Sequence, residues 1–123
     1  MRLLIIDDDT ELCQLVADYL RPMGFEVEAD HAGIPGARRA LDEAWHAIIL
    51  DVMMPEMDGY TLTAEIRNDP RMQKLHIILH TSLSGVFNQA MVKKVGADDF
   101  LAKFRPDDLA SRVVDRIKAA DHG

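Results

Sequence analysis

The chain has 123 residues, 48% hydrophobic and 28% charged, which is one domain's worth of sequence with enough apolar material for a core. Its 21 acidic and 14 basic residues leave a net charge of −7, a poor start for direct binding to nucleic acid. A single cysteine, Cys13, excludes an internal disulfide and a cysteine-built metal site. No apolar run approaches the ~20 residues of a membrane span, and acid follows the short N-terminal run where a secretory signal would have small residues. The expectation is a single cytoplasmic domain over residues 1–123, without membrane insertion.

In chain order, Leu3–Ile6 reads as a first strand. A helix follows, with Leu12, Leu15, Val16, Tyr19 and Leu20 at helical spacing, Asp9 or Thr10 as N-cap and Gly24 past its end. Val27–Ala29 is the second strand. Ala37, Leu41, Ala44 and Trp45 form a second helical stripe, entered through Pro35. Ala47–Leu50 is the third strand, and Leu62 and Ile66 mark a helix that closes before Asp69-Pro70. Ile77–Leu79 is the fourth strand, and Phe87, Met91 and Val95 form a fourth helix stopped by Gly96. Phe100–Ala102 is the last strand, and Leu109, Val113 and Ile117 form a fifth helix entered at Pro106. Continuously apolar runs suit strands buried on both faces. Strands alternating with helices predict an α/β fold, a doubly wound five-stranded parallel sheet with five helices.

In such a sheet the ligand site lies beyond the carboxyl ends of the strands. The residues there are Asp7-Asp8-Asp9, Asp51, His80-Thr81-Ser82 and Lys103. Carboxylates packed together raise one another's pKa unless a cation is present. A hard divalent ion with oxygen ligands, most simply Mg²⁺, relieves that repulsion and can hold a phosphoryl group. Lys103 supplies a fixed positive charge and Thr81 a hydroxyl donor. Taken singly, each has an ordinary reading: a helix cap for the acidic run, a turn residue for Asp51. Their convergence at strand ends under one topology is what points to chemistry. His31, His46, His76, His80 and His122 lack metal-ligand spacing. His80, the only one expected beside the site, reads first as a strand-end or surface imidazole. Seven methionines read as packing, and Cys13 as buried or half-buried.

The motifs Leu4-Ile5-Ile6-Asp7-Asp8-Asp9, Leu50-Asp51-Val52-Met53-Met54-Pro55-Glu56-Met57-Asp58-Gly59, Thr81, Gly96-Ala97-Asp98 and Lys103 are the carriers of a resemblance. From Leu3 to about Ala119 the sequence resembles the receiver domain of two-component response regulators, a CheY-like, flavodoxin-like fold. The resemblance implies that Asp51 is a phosphoacceptor. Asp7 and Asp8 would hold Mg²⁺, with Asp8 the more direct ligand, and Asp51 and the Met53 carbonyl would complete the protein's share. Thr81 would move to meet the phosphoryl oxygens, Lys103 would pair with them, and Phe100 would fill an aromatic switch position. The implied reaction is phosphoryl transfer from a histidine kinase to Asp51, then hydrolysis. The resemblance implies a phosphoacceptor regulator with self-catalysed phosphoryl transfer and dephosphorylation rather than an enzyme. The readout surface would be the fourth helix, fifth strand and fifth helix, about Phe87 to Ile117. It would face an unidentified partner or output domain, in a monomer or weak dimer.

Two departures from the family stand out. The family's Lys-Pro is here Lys103-Phe104-Arg105-Pro106. A non-proline cis bond costs about 2.5–4 kcal/mol, so a trans bond after Lys103 is expected. Phe100 lacks a hydroxyl and should favour a buried position. Up to about Gly59 the motifs resemble receivers of transcription factors. From Tyr60 on, His80-Thr81-Ser82-Leu83-Ser84-Gly85 and Ala102-Lys103-Phe104 resemble receivers of CheV-type chemotaxis proteins. That pattern leaves open a natural intermediate or a recombined, mosaic chain. Two rival readings are a small haloacid-dehalogenase-like phosphohydrolase with Asp7 as nucleophile, and a receiver-like interaction module that takes no phosphate. The first wants an acidic pair after its lysine, whereas Asp98-Asp99 precede Lys103.

Overall fold

Strands that are apolar on both faces need cover on both, and the amphipathic segments between them supply it. The computed structural model describes residues 1–52, 58–81, 89–102 and 106–122. In it, β1 (Arg2–Ile6), β2 (Glu26–Asp30), β3 (Ala47–Asp51), β4 (His76–Thr81) and β5 (Asp99–Ala102) form one sheet in the order β2-β1-β3-β4-β5. Every neighbouring pair is parallel. Between and after the strands come α1 (Thr10–Leu20), α2 (Gly33–Asp42), α3 (Gly59–Arg67), α4 (Gln89–Val95) and α5 (Pro106–His122). This is the doubly wound order of the CheY-like, flavodoxin-like fold. Among the described residues no helix is long and apolar enough to cross a membrane.

The two-residue period of a strand divides the core. Leu3, Ile5, Ile49 and Ile78 face one layer, where they pack with Val16 and Leu20 of α1 and Val113 and Ile117 of α5. Leu4, Ile6, Ile48, Leu50, Ile77 and Leu79 face the other, with Ala40 of α2, Leu62 and Ile66 of α3 and Val95 of α4.

Three expectations need correction. The buried face of α1 is Leu12, Cys13, Val16, Ala17 and Leu20, whereas Leu15 and Tyr19 are 46% and 41% exposed. Both sets have helical spacing. The observed one turns small Cys13 and Ala17 inward, which lets the helix lie close to its neighbours. Helix α2 starts at Gly33 rather than Pro35 and buries small residues, Gly33, Gly36, Ala37 and Ala40. At Gly36 a Cβ would come within 2.9 Å of Ile6. Ala44 and Trp45 are not on that helix: Glu43 is extended, and the Trp45 indole N–H donates back at 2.8 Å to the Arg39 carbonyl, which also accepts the Glu43 amide. The strands β2 and β5 run slightly longer than their apolar runs, and Phe87 lies outside the described residues.

Candidate functional site

Chain leaving β1 and β3 turns to opposite sides of the sheet, which opens a crevice at their carboxyl ends. The strand period decides what lines it. Two residues beyond Ile5, Ile49 and Ile78, on the face shared with α1 and α5, stand Asp7, Asp51 and His80. All are buried, at 1%, 7% and 3% exposure. The backbone holds each in place. The Asp7 amide donates to the Asp30 carbonyl at 3.1 Å, and the Val52 amide donates to the His80 carbonyl at 3.0 Å.

The three acidic residues after β1 have separate tasks. Asp9 is the N-cap of α1, its Oδ1 accepting from the Leu12 amide at 3.0 Å, so the helix-cap reading holds for it. Asp7 Oδ1 accepts from the Asp9 amide at 2.9 Å, and Asp8 is exposed. Ligand oxygens of Asp7, Asp8 and Asp51 all lie within 4.8 Å of one another. A small hard cation with oxygens at ~2.1 Å spans just such a group. Asp7 Oδ2 is buried and makes no aligned hydrogen bond, so an acceptor is left over for such an ion or its water. Oxygen donors alone, with no thiolate among them, suit Mg²⁺.

Electrostatics at Asp7 run against the sequence expectation. Burial pushes its carboxyl up, but the His80 imidazole, the Asp9 amide and the Asp8 side chain outweigh burial and hold it below the usual carboxylate range. Of the two expectations for His80, strand end or surface, the first holds and the second does not: it stands near the end of β4, buried, with Nε2 2.9 Å from Asp7 Oδ2. The missed signal was parity, since His80 is two residues from inward-facing Ile78. His31 also comes near, with Nδ1 3.1 Å from the Asp7 carbonyl oxygen.

The Asp58-Gly59 pair of the loop motif has a structural job. Asp58 caps α3, accepting from the Tyr60 amide at 2.9 Å. A Cβ on Gly59 would stand 2.6 Å from the Asp51 carbonyl oxygen and the Val52 Cα, so only glycine allows α3 to start against the end of β3. Thr81 closes β4 opposite Ala102 of β5. Phe100 is half-buried against the α2/α3/α4 layer. Met53, Lys103 and the bond after Lys103 lie outside the described residues, as does the Thr81 side chain.

The acidic pair belongs elsewhere. Asp98 Oδ2 accepts from the Ile77 amide and from Arg67, both at 2.7 Å. Asp99 pairs with His76 at 2.9 Å and with Arg116 at 3.3 Å. Both stand at the start of β5, away from the carboxyl edge where Asp7 lies, so they cannot complete a dehalogenase-like site around it.

Comparisons with known proteins agree with this geometry. A family model described as the response regulator receiver domain matches residues 3–114. Over 123 aligned residues, 97% of this chain and 53% of the relative, it is 36% identical to YclJ of Bacillus subtilis, an uncharacterized transcriptional regulatory protein. It is 34% identical to the transcriptional regulatory protein GltR of Pseudomonas aeruginosa, covering 96% of this chain and 49% of that one. The chain thus spans about half the length of these curated relatives. Among solved structures, the chemotaxis response regulator CheY4 of Vibrio cholerae superposes with a TM-score of 0.83 at 27% identity, covering 94% of this chain and 97% of that one. With its sheet order, its aspartate crevice and its motifs all in agreement, this chain belongs to the response regulator receiver domain family.

Proposed function

We propose that the chain is a phosphoacceptor signalling domain, folded as one unit over residues 1–123, in which Asp51 takes a phosphoryl group from a histidine kinase in a Mg²⁺-dependent reaction. The observation that carries this reading is the group Asp7, Asp8 and Asp51 at the switch point of the sheet. An oxygen of the Asp51 carboxylate attacks phosphorus, the P–N bond to the kinase histidine breaks, and an acyl phosphate forms. Water later attacks that phosphorus, releasing inorganic phosphate and restoring the carboxylate. Mg²⁺, when bound, neutralises phosphoryl charge that would otherwise repel the aspartates.

The chain's own residues position and balance. Asp7 and Asp8, with the Met53 carbonyl, would hold the ion beside Asp51. Thr81 and Lys103 would meet the phosphoryl oxygens, one as hydroxyl donor and one as fixed cation. Asp51 ends a strand that is buried along its whole length, which holds the nucleophile still for in-line attack. Signalling would follow from a two-state shift of α4, β5 and α5, with Thr81 and Phe100 as the switch residues. The output is a partner protein or an attached domain. YclJ and GltR favour transcriptional control, and CheY4 favours a chemotaxis partner. On this reading the protein works in the cytoplasm, where a kinase charged from ATP meets it.

The test is intact-mass spectrometry after incubation with Mg²⁺ and acetyl phosphate. Wild type should gain one phosphoryl group, and neither folded Asp51→Asn nor chelator-treated wild type should gain any. Label that survives in Asp51→Asn overturns the assignment. Folded wild type that takes no label makes the chain a silent interaction module.

A further inference from the structure

We propose that His80 is a positioning residue for the divalent-cation site, its imidazole holding the Asp7 carboxylate in the orientation from which Asp7 serves that site. The inference rests on the reading of Asp7, Asp8 and Asp51 as a Mg²⁺-holding group. His80 is on β4 and Asp7 follows β1, with β3 between them. Its Nε2 therefore reaches over β3 to come within 2.9 Å of Asp7 Oδ2, and the two side chains are 4% and 1% exposed. The other carboxylate oxygen, Oδ1, accepts the Asp9 amide at 2.9 Å. Asp7 is thus hydrogen-bonded at one oxygen by its own loop and met at the other by a ring from a distant strand.

His80 is not among the residues whose ligand atoms all lie within 4.8 Å of one another, so it acts through Asp7 rather than as a further ligand. Neither Oδ2 nor Nε2 makes an aligned hydrogen bond. The contact is close but off the line of an N–H···O bond, and it leaves lone-pair capacity on Oδ2 for the ion or its water. A buried carboxylate with nothing beside that oxygen would be costly to keep ionised. The strand that carries the imidazole is fixed beside the site, because the His80 carbonyl accepts from the Val52 amide next to Asp51. An outer contact that orients a metal-holding side chain changes metal affinity by about 10–100-fold.

The experiment titrates Mg²⁺ by calorimetry into wild type, His80→Leu and His80→Gln, with metal-free thermal unfolding recorded for each. Leucine removes the polar edge at similar volume, and glutamine returns a side-chain N–H at a similar reach. His80→Leu should bind Mg²⁺ about tenfold or more weakly, and His80→Gln should recover to within about threefold of wild type. Lost packing alone would not give that rescue. Unchanged affinity in His80→Leu, or equal weakening in both variants, overturns the proposal and leaves the aspartate site standing. Wild type that binds no Mg²⁺ removes the aspartate reading and this proposal together. Should His80→Leu fail to fold, nitrogen-resolved NMR follows the His80 imidazole of wild type through the titration. A resonance that shifts and saturates with Mg²⁺ supports the proposal, and one that never moves overturns it.

Discussion

Cys13 shows how one buried residue inherits the character of the site next to it. Its Sγ lies 3.7 Å from the Asp7 carbonyl oxygen at the edge of the acidic group. Burial first, then the charges of Asp7, Asp9 and Asp8, push its thiol up to about 12. Only the thiolate is a good nucleophile, so the native protein should resist a disulfide exchange reagent at mildly alkaline pH and react once denatured. Labelling rates with and without denaturant check this. The sign of the pH effect follows from a folded value above the ordinary 9.0. The stabilisation is intact below that value and is lost as pH climbs from about 9 toward about 12. Unfolding of wild type against Cys13→Ala across that window should show wild type losing ground.

Element-scale behaviour turns on how closely helices meet strand ends. Gly59 begins α3 where a Cβ would strike the backbone of Asp51 and Val52 at 2.6 Å. Backbone cannot rotate aside as a side chain can, so Gly59→Ala should cost at least the ~1–3 kcal/mol typical of overpacking. It should also slow labelling of Asp51 by displacing its carbonyl. Urea unfolding and the phosphoryl-labelling rate measure the two effects. The Asp58 cap and Gly59 were visible in the sequence as a motif, but the motif by itself does not say that the glycine serves packing. At α1, likewise, helical spacing was legible and orientation was not. Leu15 and Tyr19 fit the period as well as Cys13 and Ala17 do, and only contact with the sheet and α5 selects the second pair.

At the scale of the whole molecule, one parallel sheet separates two apolar layers. Ile117 of α5 belongs to one and Ile66 of α3 to the other, and both are buried. Truncation of either to alanine should cost about 2–5 kcal/mol. With the sheet between them, the double variant should lose the sum to within ~0.5 kcal/mol. Denaturant unfolding of the two single variants and the double measures this, and strong non-additivity would show that the layers are coupled.

Properties carried by neighbouring residues were determined by the sequence alone. The alternation of strands and helices and the placing of Asp7, Asp8, Asp51 and Thr81 at strand ends follow from local periodicity and adjacency. The family motifs are likewise short local runs. Tertiary structure decided what depends on residues far apart in the chain: which side of α1 is inward, why α2 is faced with glycine and alanine, and where Asp98 and Asp99 are bound. It also decided that His80, ordinary in sequence, lies against Asp7 across an intervening strand. A strand's period says which face a side chain takes, but only the order of strands says which residues share that face as neighbours.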